Sequence, residues 1–102
     1  MLKIKIDGFE WDEWNKDKNW TKHKVNIKEC EDIFYNNPIF FQDTRHSQKE
    51  SRFVAYGISD TGRKLTIIFT IRKKLIRVIS ARDQNKRERS IYETSHKKDT
   101  SV

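Results

Sequence analysis

Leu2, Ile4 and Ile6 alternate with Lys3, Lys5 and Asp7, the period-two pattern of a half-buried strand. Asp7-Gly8 is a turn signal, and Phe9 and Trp11 continue on a second short extended piece. Asp12 can cap a helix running to about Lys24, anchored by Trp14 and Trp20, because its carboxylate accepts the free amides of the first turn. A second helix is better marked. Asn26 stands at the cap with Glu29 three residues on, Val25 can staple onto Cys30, and Ile27, Cys30, Ile33 and Phe34 make one apolar face. Asn36-Asn37-Pro38 ends it, since proline disfavours helix at the residue before it.

From there the period changes. Ile39–Phe41 is short and apolar, and residues 42–51 are polar and loop-like. Phe53–Ile58 and Leu65–Ile71 read as strands joined by a Ser59-Asp60-Thr61-Gly62 hairpin loop. Lys73-Lys74 is the next turn, followed by Leu75–Arg82. Residues 84–93 read as a helix, and 94–102 as a polar tail with little to order it. The order predicts an α+β fold: two N-terminal helices packed on a twisted antiparallel sheet, with a short C-terminal helix. The domain is set at residues 1–93.

The segment "RKKLIRVISARDQNKRERSIYE", residues 72–93, sets a question that the pattern alone does not answer. It is strongly basic, yet a core-like strand runs through it. By strict alternation Ile76, Val78, Ser80 and Arg82 share one face of that strand, and Leu75, Arg77, Ile79 and Ala81 the other. Arg77 then lies among apolar neighbours and needs a carboxylate, an open groove or a phosphate. A two-residue turn at Lys73-Lys74 aligns Arg77 with Thr70, whereas a one-residue slip brings Thr70 onto the face of Arg82. Lys-Lys is not a favoured tight-turn pair, so the sequence leaves both registers open.

Charge sharpens the question. With 102 residues, 34% hydrophobic and 36% charged, the chain supports one modest core and carries a net charge of +7. Residues 1–62 hold 10 basic and 11 acidic side chains, and residues 63–102 hold 12 and 4, so the whole excess is in the second half. That asymmetry suits a polyanion such as nucleic acid, or an acidic protein partner; a basic surface kept for solubility is the alternative. A single cysteine, Cys30, excludes a disulfide framework. The start of the chain has no apolar run of a signal peptide, no stretch has membrane-spanning length, and a cytoplasmic location is expected.

Candidate chemistry follows from residue type. Guanidinium groups match phosphate oxygens bidentately, which singles out Arg77, Arg82 and Arg89 near the sheet, with Tyr92 able to hydrogen-bond or stack on a base. Glu88 and Tyr92 share a helix face, as do Arg89 and Glu93; ion pairing that merely stabilises the helix is the competing reading. His46, in the polar loop, is a candidate general base and otherwise an exposed loop histidine. No histidine pair has metal spacing and no glycine-rich phosphate loop occurs, so neither a metal nor a nucleotide cofactor is expected.

Two long stretches resemble a known family. "FEWDEWNKDKNWTKHKVNIKECEDIF" is similar to the opening of BrnT-type toxins, with F-x-W-D, N-x-x-K-H-x-V and an apolar helix. "RHSQKESRFVAYGISDTGRKLTIIFTIRKKLIRVISARDQNKRERSIYE" resembles the rest, with G-R-x-L, F-T-x-R, R-V-I-S-A-R and E-R-x-x-Y-E. Together they span about residues 9–93. The resemblance implies a RelE-like fold and a ribonuclease toxin of a type II toxin–antitoxin system that halts translation. It also implies a cognate DNA-binding, BrnA-like antitoxin that neutralises it, in an assembly such as a heterotetramer that reaches operator DNA only through the antitoxin. The matching positions are His46, Arg52, Arg63, Thr70, Arg72, Arg77, Ser80, Arg82, Glu88, Arg89 and Tyr92. Ser51 stands where the family often has an acid, and Lys24 where it often has glycine.

A metal-free cleavage would use Arg77 and Arg82 as phosphate clamps, His46 or Glu88 as base, and Tyr92 as stacking partner or acid. Arg52, Arg63, Lys64, Arg72 and Arg89 complete the expected RNA-binding set. The competing functions are a non-catalytic nucleic-acid-binding or antitoxin-docking module, and a purely structural partner.

Overall fold

The computed structural model describes residues 6–12, 22–43 and 51–100. The elements, in order, are β1 (Gly8–Glu10), α1 (Ile27–Tyr35), β2 (Ile39–Asp43), β3 (Arg52–Ile58), β4 (Lys64–Arg72), β5 (Leu75–Asp83) and α2 (Lys86–Thr100). One five-stranded sheet takes the order β1-β5-β4-β3-β2.

Helix α1 forms where its signals lie. Asn26 accepts from the Glu29 amide at 2.8 Å and Glu29 accepts from the Asn26 amide at 3.1 Å, a closed capping box. The helix then presents Cys30 and Ile33, both fully buried, to one face of the sheet. There Leu65, Ile67 and Phe69 of β4 meet Ala55 of β3 and Ile76, Val78 and Ala81 of β5 in the core. Phe34 and Phe69 cross edge-on at 5.0 Å, and Phe9, Phe40 and Phe53 extend this ring cluster. Gly57 is needed here: a Cβ on it would sit 2.5 Å from Ile33 Cγ2.

Three expectations are corrected. The helices among the described residues are one mid-chain and one C-terminal, not two N-terminal ones; the helix expected over 12–24 falls largely on residues 13–21, outside the described set. The sheet is mixed rather than antiparallel. β1 pairs parallel with β5, Phe9 opposite Ile76 and Glu10 opposite Arg77, because the two lie at opposite ends of the chain and need no tight turn between them. The first strand expected, over residues 2–6, also lies outside the description except for Ile6, which packs against the core.

The third correction concerns β5 and matters most. Lys73 and Lys74 both take positive φ, 50° and 64°, the signature of a type I′ two-residue turn, so Arg72 faces Leu75 and Arg77 faces Thr70. Beyond Phe69↔Val78 the ladder resumes at Ile68↔Ser80, leaving Ile79 as an extra residue in a β-bulge. Strict alternation is broken there. Before the bulge Ile76 and Val78 point to the core, and after it Ala81 does, paired with Ile67. Arg77, Ser80 and Arg82 therefore share the opposite face with Thr70, Ile68 and Thr66, whereas alternation had separated Arg77 from Arg82.

Helix α2 runs through Thr100, beyond the boundary at 93 that the polar composition suggested. It lies on this second face, and its bonds to the sheet fall on Lys64, Thr66 and Arg82. A left-handed conformation is costly for residues with a Cβ. Replacing Lys73-Lys74 by Asn-Gly should raise unfolding free energy by about 1 kcal/mol, read from urea denaturation, with the register kept.

Candidate functional site

Pairing along the ladders collects most of the expected phosphate ligands. β4 alternation places Arg72 beside Thr70, and Arg52 of β3 lies one residue before Phe53, which pairs with core residue Phe69. Arg52, Arg72, Arg77 and Arg82 thus occupy one face of the sheet. Arg77 and Arg82 pair with Thr70 and Thr66, four residues apart on β4, which sets their backbones about 13 Å apart. Long side chains can close part of that gap, so the pair presents two separated cationic groups rather than a single point of charge.

Each of these two guanidiniums already meets an acid. Arg77 NH2 donates to Asp12 Oδ2 at 3.2 Å, with both side chains partly open to solvent. Asp12 follows β1, whose parallel pairing on β5 delivers it to Arg77. Arg82 makes a closed fork with Glu88: NH1 donates to Oε1 at 2.7 Å and NH2 to Oε2 at 2.8 Å.

Glu88 is the most heavily engaged carboxylate. Its Oε1 also accepts from Thr66 Oγ1 at 2.9 Å and from the Asn85 amide at 2.9 Å, while the Glu88 amide donates to Asn85 Oδ1. Asn85 and Glu88 therefore form a second capping box, at the start of α2. Glu88 is 8% exposed. Burial pushes its carboxyl up, but the Arg82 fork, the Asn85 amide and the Thr66 hydroxyl outweigh that and hold it below its ordinary value. An anion stabilised by four donors is a poor acceptor for a ribose proton, so Glu88 does not suit the role of general base.

The other expected residues divide clearly. Arg63 is a staple rather than a phosphate ligand. It donates to Asp83 at 2.7 and 3.2 Å, to Glu29 at 3.2 Å, and to the carbonyls of Lys24 and His23 at 2.7 and 2.9 Å. Lys64 pairs with Glu93 at 2.7 Å, tying β4 to α2. Arg89 NH1 donates to the Gln84 carbonyl at 2.8 Å, inside the turn before α2. Tyr92 is buried against the sheet, where desolvation pushes its phenol up. Arg52 is half-buried opposite Asp43, and Arg72 is exposed. His46 lies outside the described residues, which stop at Asp43 and resume at Ser51, whose carbonyl accepts from Thr70 Oγ1 at 2.8 Å.

Sequence reasoning missed Asp12 as a partner of Arg77, Thr66 as a support of Glu88, and the buried Gln84, whose Nε2 bridges the carbonyls of Gly57 and Leu65. Only the Asn85-x-x-Glu88 spacing was a readable signal. Among the described residues no group of three or more His, Cys, Asp or Glu could hold a metal ion, and no helix is long and apolar enough to cross a membrane.

Both the sequence and the fold have counterparts among known proteins. The model of the family described as "Ribonuclease toxin, BrnT, of type II toxin-antitoxin system" matches residues 11–88, and the chain belongs to that family. Among solved structures it is similar in fold to the Brucella abortus ribonuclease toxin BrnT, known from a crystal structure at 1.1 Å resolution. The TM-score is 0.60 at 22% identity, covering 78% of this chain and 97% of that one. A search of the curated proteins found no match.

The depressed carboxyls make stability depend on acid. A group whose folded pKa lies below its unfolded value stabilises fully above the unfolded value and loses that contribution as pH falls through the folded one. Glu88, with Arg82 and two further donors, and Asp83, held down by Arg63, both fall in this class, from ordinary values of 4.5 and 3.8. The melting temperature should hold from neutral pH to about 5 and then fall steeply below 4.5. Glu88→Gln should be less stable at neutral pH and show a shallower acid limb in the same scan.

Proposed function

We propose that this chain is itself an endoribonuclease: it cleaves RNA without metal and thereby inhibits translation until a cognate antitoxin neutralises it. The observation that carries the reading is the common face of Arg77 and Arg82, created by the bulge at Ile79 in a chain of a ribonuclease-toxin family. In the proposed reaction the ribose 2′-hydroxyl attacks the adjacent phosphorus, and the bond to the departing 5′-oxygen breaks. The base takes the 2′ proton, an acid returns one to the 5′-oxygen, and cations stabilise the charge that builds on the phosphoryl oxygens.

Arg77 and Arg82 meet the phosphates, and Arg52 and Arg72 on the same face extend the track along the RNA backbone. The ion pair of Arg77 with Asp12 is partly solvated, so an incoming phosphate can displace the carboxylate at little cost. With Glu88 committed to Arg82, the base falls to His46. The described residues that flank it in sequence, Asp43 and Ser51, lie at the end of the sheet that also carries Thr70 and Arg77. Buried Tyr92 supports the helix, leaving base stacking to other groups.

The antitoxin in this reading is a BrnA-like, DNA-binding protein that covers the basic face, assembles with the toxin as a heterotetramer, and alone contacts operator DNA. A second reading, a non-catalytic module that binds nucleic acid or the antitoxin, draws on the acids already paired with both arginines.

The test is cleavage of RNA by purified protein in EDTA. Wild type should cleave, and Arg82→Ala, with its fold verified by circular dichroism, should lose about 10²–10³ in kcat. Dependence on added magnesium would sink the metal-free scheme. RNA binding that weakens steeply with salt but leads to no cleavage would favour the second reading. In cells, expression should arrest growth, and co-expression of the neighbouring reading frame should restore it.

A further inference from the structure

Two arginines on one face are not held alike, and the difference assigns a role to a residue that touches no substrate. Arg77 meets a single carboxylate oxygen at 3.2 Å on a part-exposed partner. Arg82 meets both oxygens of Glu88, at 2.7 and 2.8 Å, on a partner whose side chain is only 10% exposed. The carboxylate is fixed in turn: Thr66 Oγ1 on the sheet and the Asn85 amide at the head of α2 both donate to its Oε1. Arg82 NH1 has a further acceptor in the Asp83 carbonyl at 3.2 Å.

Glu88 engages the NH1–NH2 end of the guanidinium, so the edge formed by Nε and NH2 is the one that it leaves for a phosphate. The Arg82 side chain remains 33% exposed. An arginine near a strand end otherwise samples many rotamers, and fixing it during the reaction would raise the barrier. Here that ordering is completed on folding.

We propose that Glu88 is a positioning residue for RNA cleavage: its buried carboxylate clamps one end of the Arg82 guanidinium and aims the remaining edge at the phosphate undergoing attack. This rests on the nuclease reading above. The benefit belongs to the transition state, because the acid offsets part of the Arg82 charge and so does little for ground-state affinity. A donor held in place still meets the growing charge on phosphate without reorganising. Loss of the clamp should therefore lower kcat and leave KM for RNA nearly unchanged.

The experiment compares wild type, Glu88→Gln, Glu88→Asp, Arg82→Ala and the Arg82→Ala/Glu88→Gln double variant on one RNA. Rates are normalised to folded protein by circular dichroism. Glutamine cannot accept from both arms of the fork, so Glu88→Gln should lose about ten- to a hundredfold in kcat, with KM within about threefold. Glu88→Asp, which keeps the charge, should recover part of the loss. The double variant should be no slower than Arg82→Ala alone, because Glu88 acts only through Arg82. Asn85→Ala removes a cap of α2 but leaves the fork; it should melt earlier and keep its kcat.

Glu88→Gln turning over as fast as an active wild type would overturn the positioning role and leave the nuclease reading standing. A double variant slower than Arg82→Ala would overturn it too, by giving Glu88 an effect of its own. A wild type inert on RNA would overturn the nuclease reading, and the positioning role with it.

Discussion

One extra residue in one strand decides how this molecule presents its charge. Ile79 has no counterpart across the ladder, and from that point β5 exchanges the faces of its side chains. Were β5 regular, Arg82 would project toward α1 and the buried ring cluster, where an unpaired guanidinium is costly. The bulge lets Ile76 and Val78 fill the core before it and Ala81 after it, while every arginine of the strand faces the other way. A core strand and a basic surface are thereby reconciled within nine residues.

The cations of the three long strands and their turns serve two distinct ends. Arg63 and Lys64, at the start of β4, are spent on cohesion. The first ties the hairpin to α1, to the end of β5 and to the carbonyls before Val25; the second ties it to α2. Arg52, Arg72, Arg77 and Arg82 lie across one sheet face instead. Sorting by face explains how so basic a stretch can be both framework and surface. The two acids that meet Arg77 and Arg82, Asp12 and Glu88, arrive from opposite ends of the chain, one beside β1 and one on α2.

Much of this was legible beforehand. The Asn26–Glu29 box, the apolar face of α1, the hairpin at Ser59–Gly62 and the three long strands follow from local chemistry, and local chemistry prevailed. What escaped was non-local or was masked by a stronger pattern. The parallel seat of β1 depends on residues almost seventy positions away. The bulge leaves no glycine to announce it, only a run of apolar residues that satisfies either phase. Glu88 was readable as the N3 partner of Asn85, but its place beside arginines and a tyrosine drew attention to proton transfer instead. Lys24 shows the reverse case: its φ of 56° accounts for a site where the family often has glycine, and the Arg63 bond to its carbonyl helps to hold the turn.

The chain's single thiol has a consequence for how its motions can be watched. Cys30 is 1% exposed beneath α1, and burial, reinforced by Glu29 and Glu31, pushes it up to about 12. In the closed molecule it offers almost no thiolate to an alkylating reagent. Labelling must wait until α1 lifts from β3 and β4, so its rate counts those openings one molecule at a time. The protein carries its own clock for core breathing, set on the face opposite the arginines.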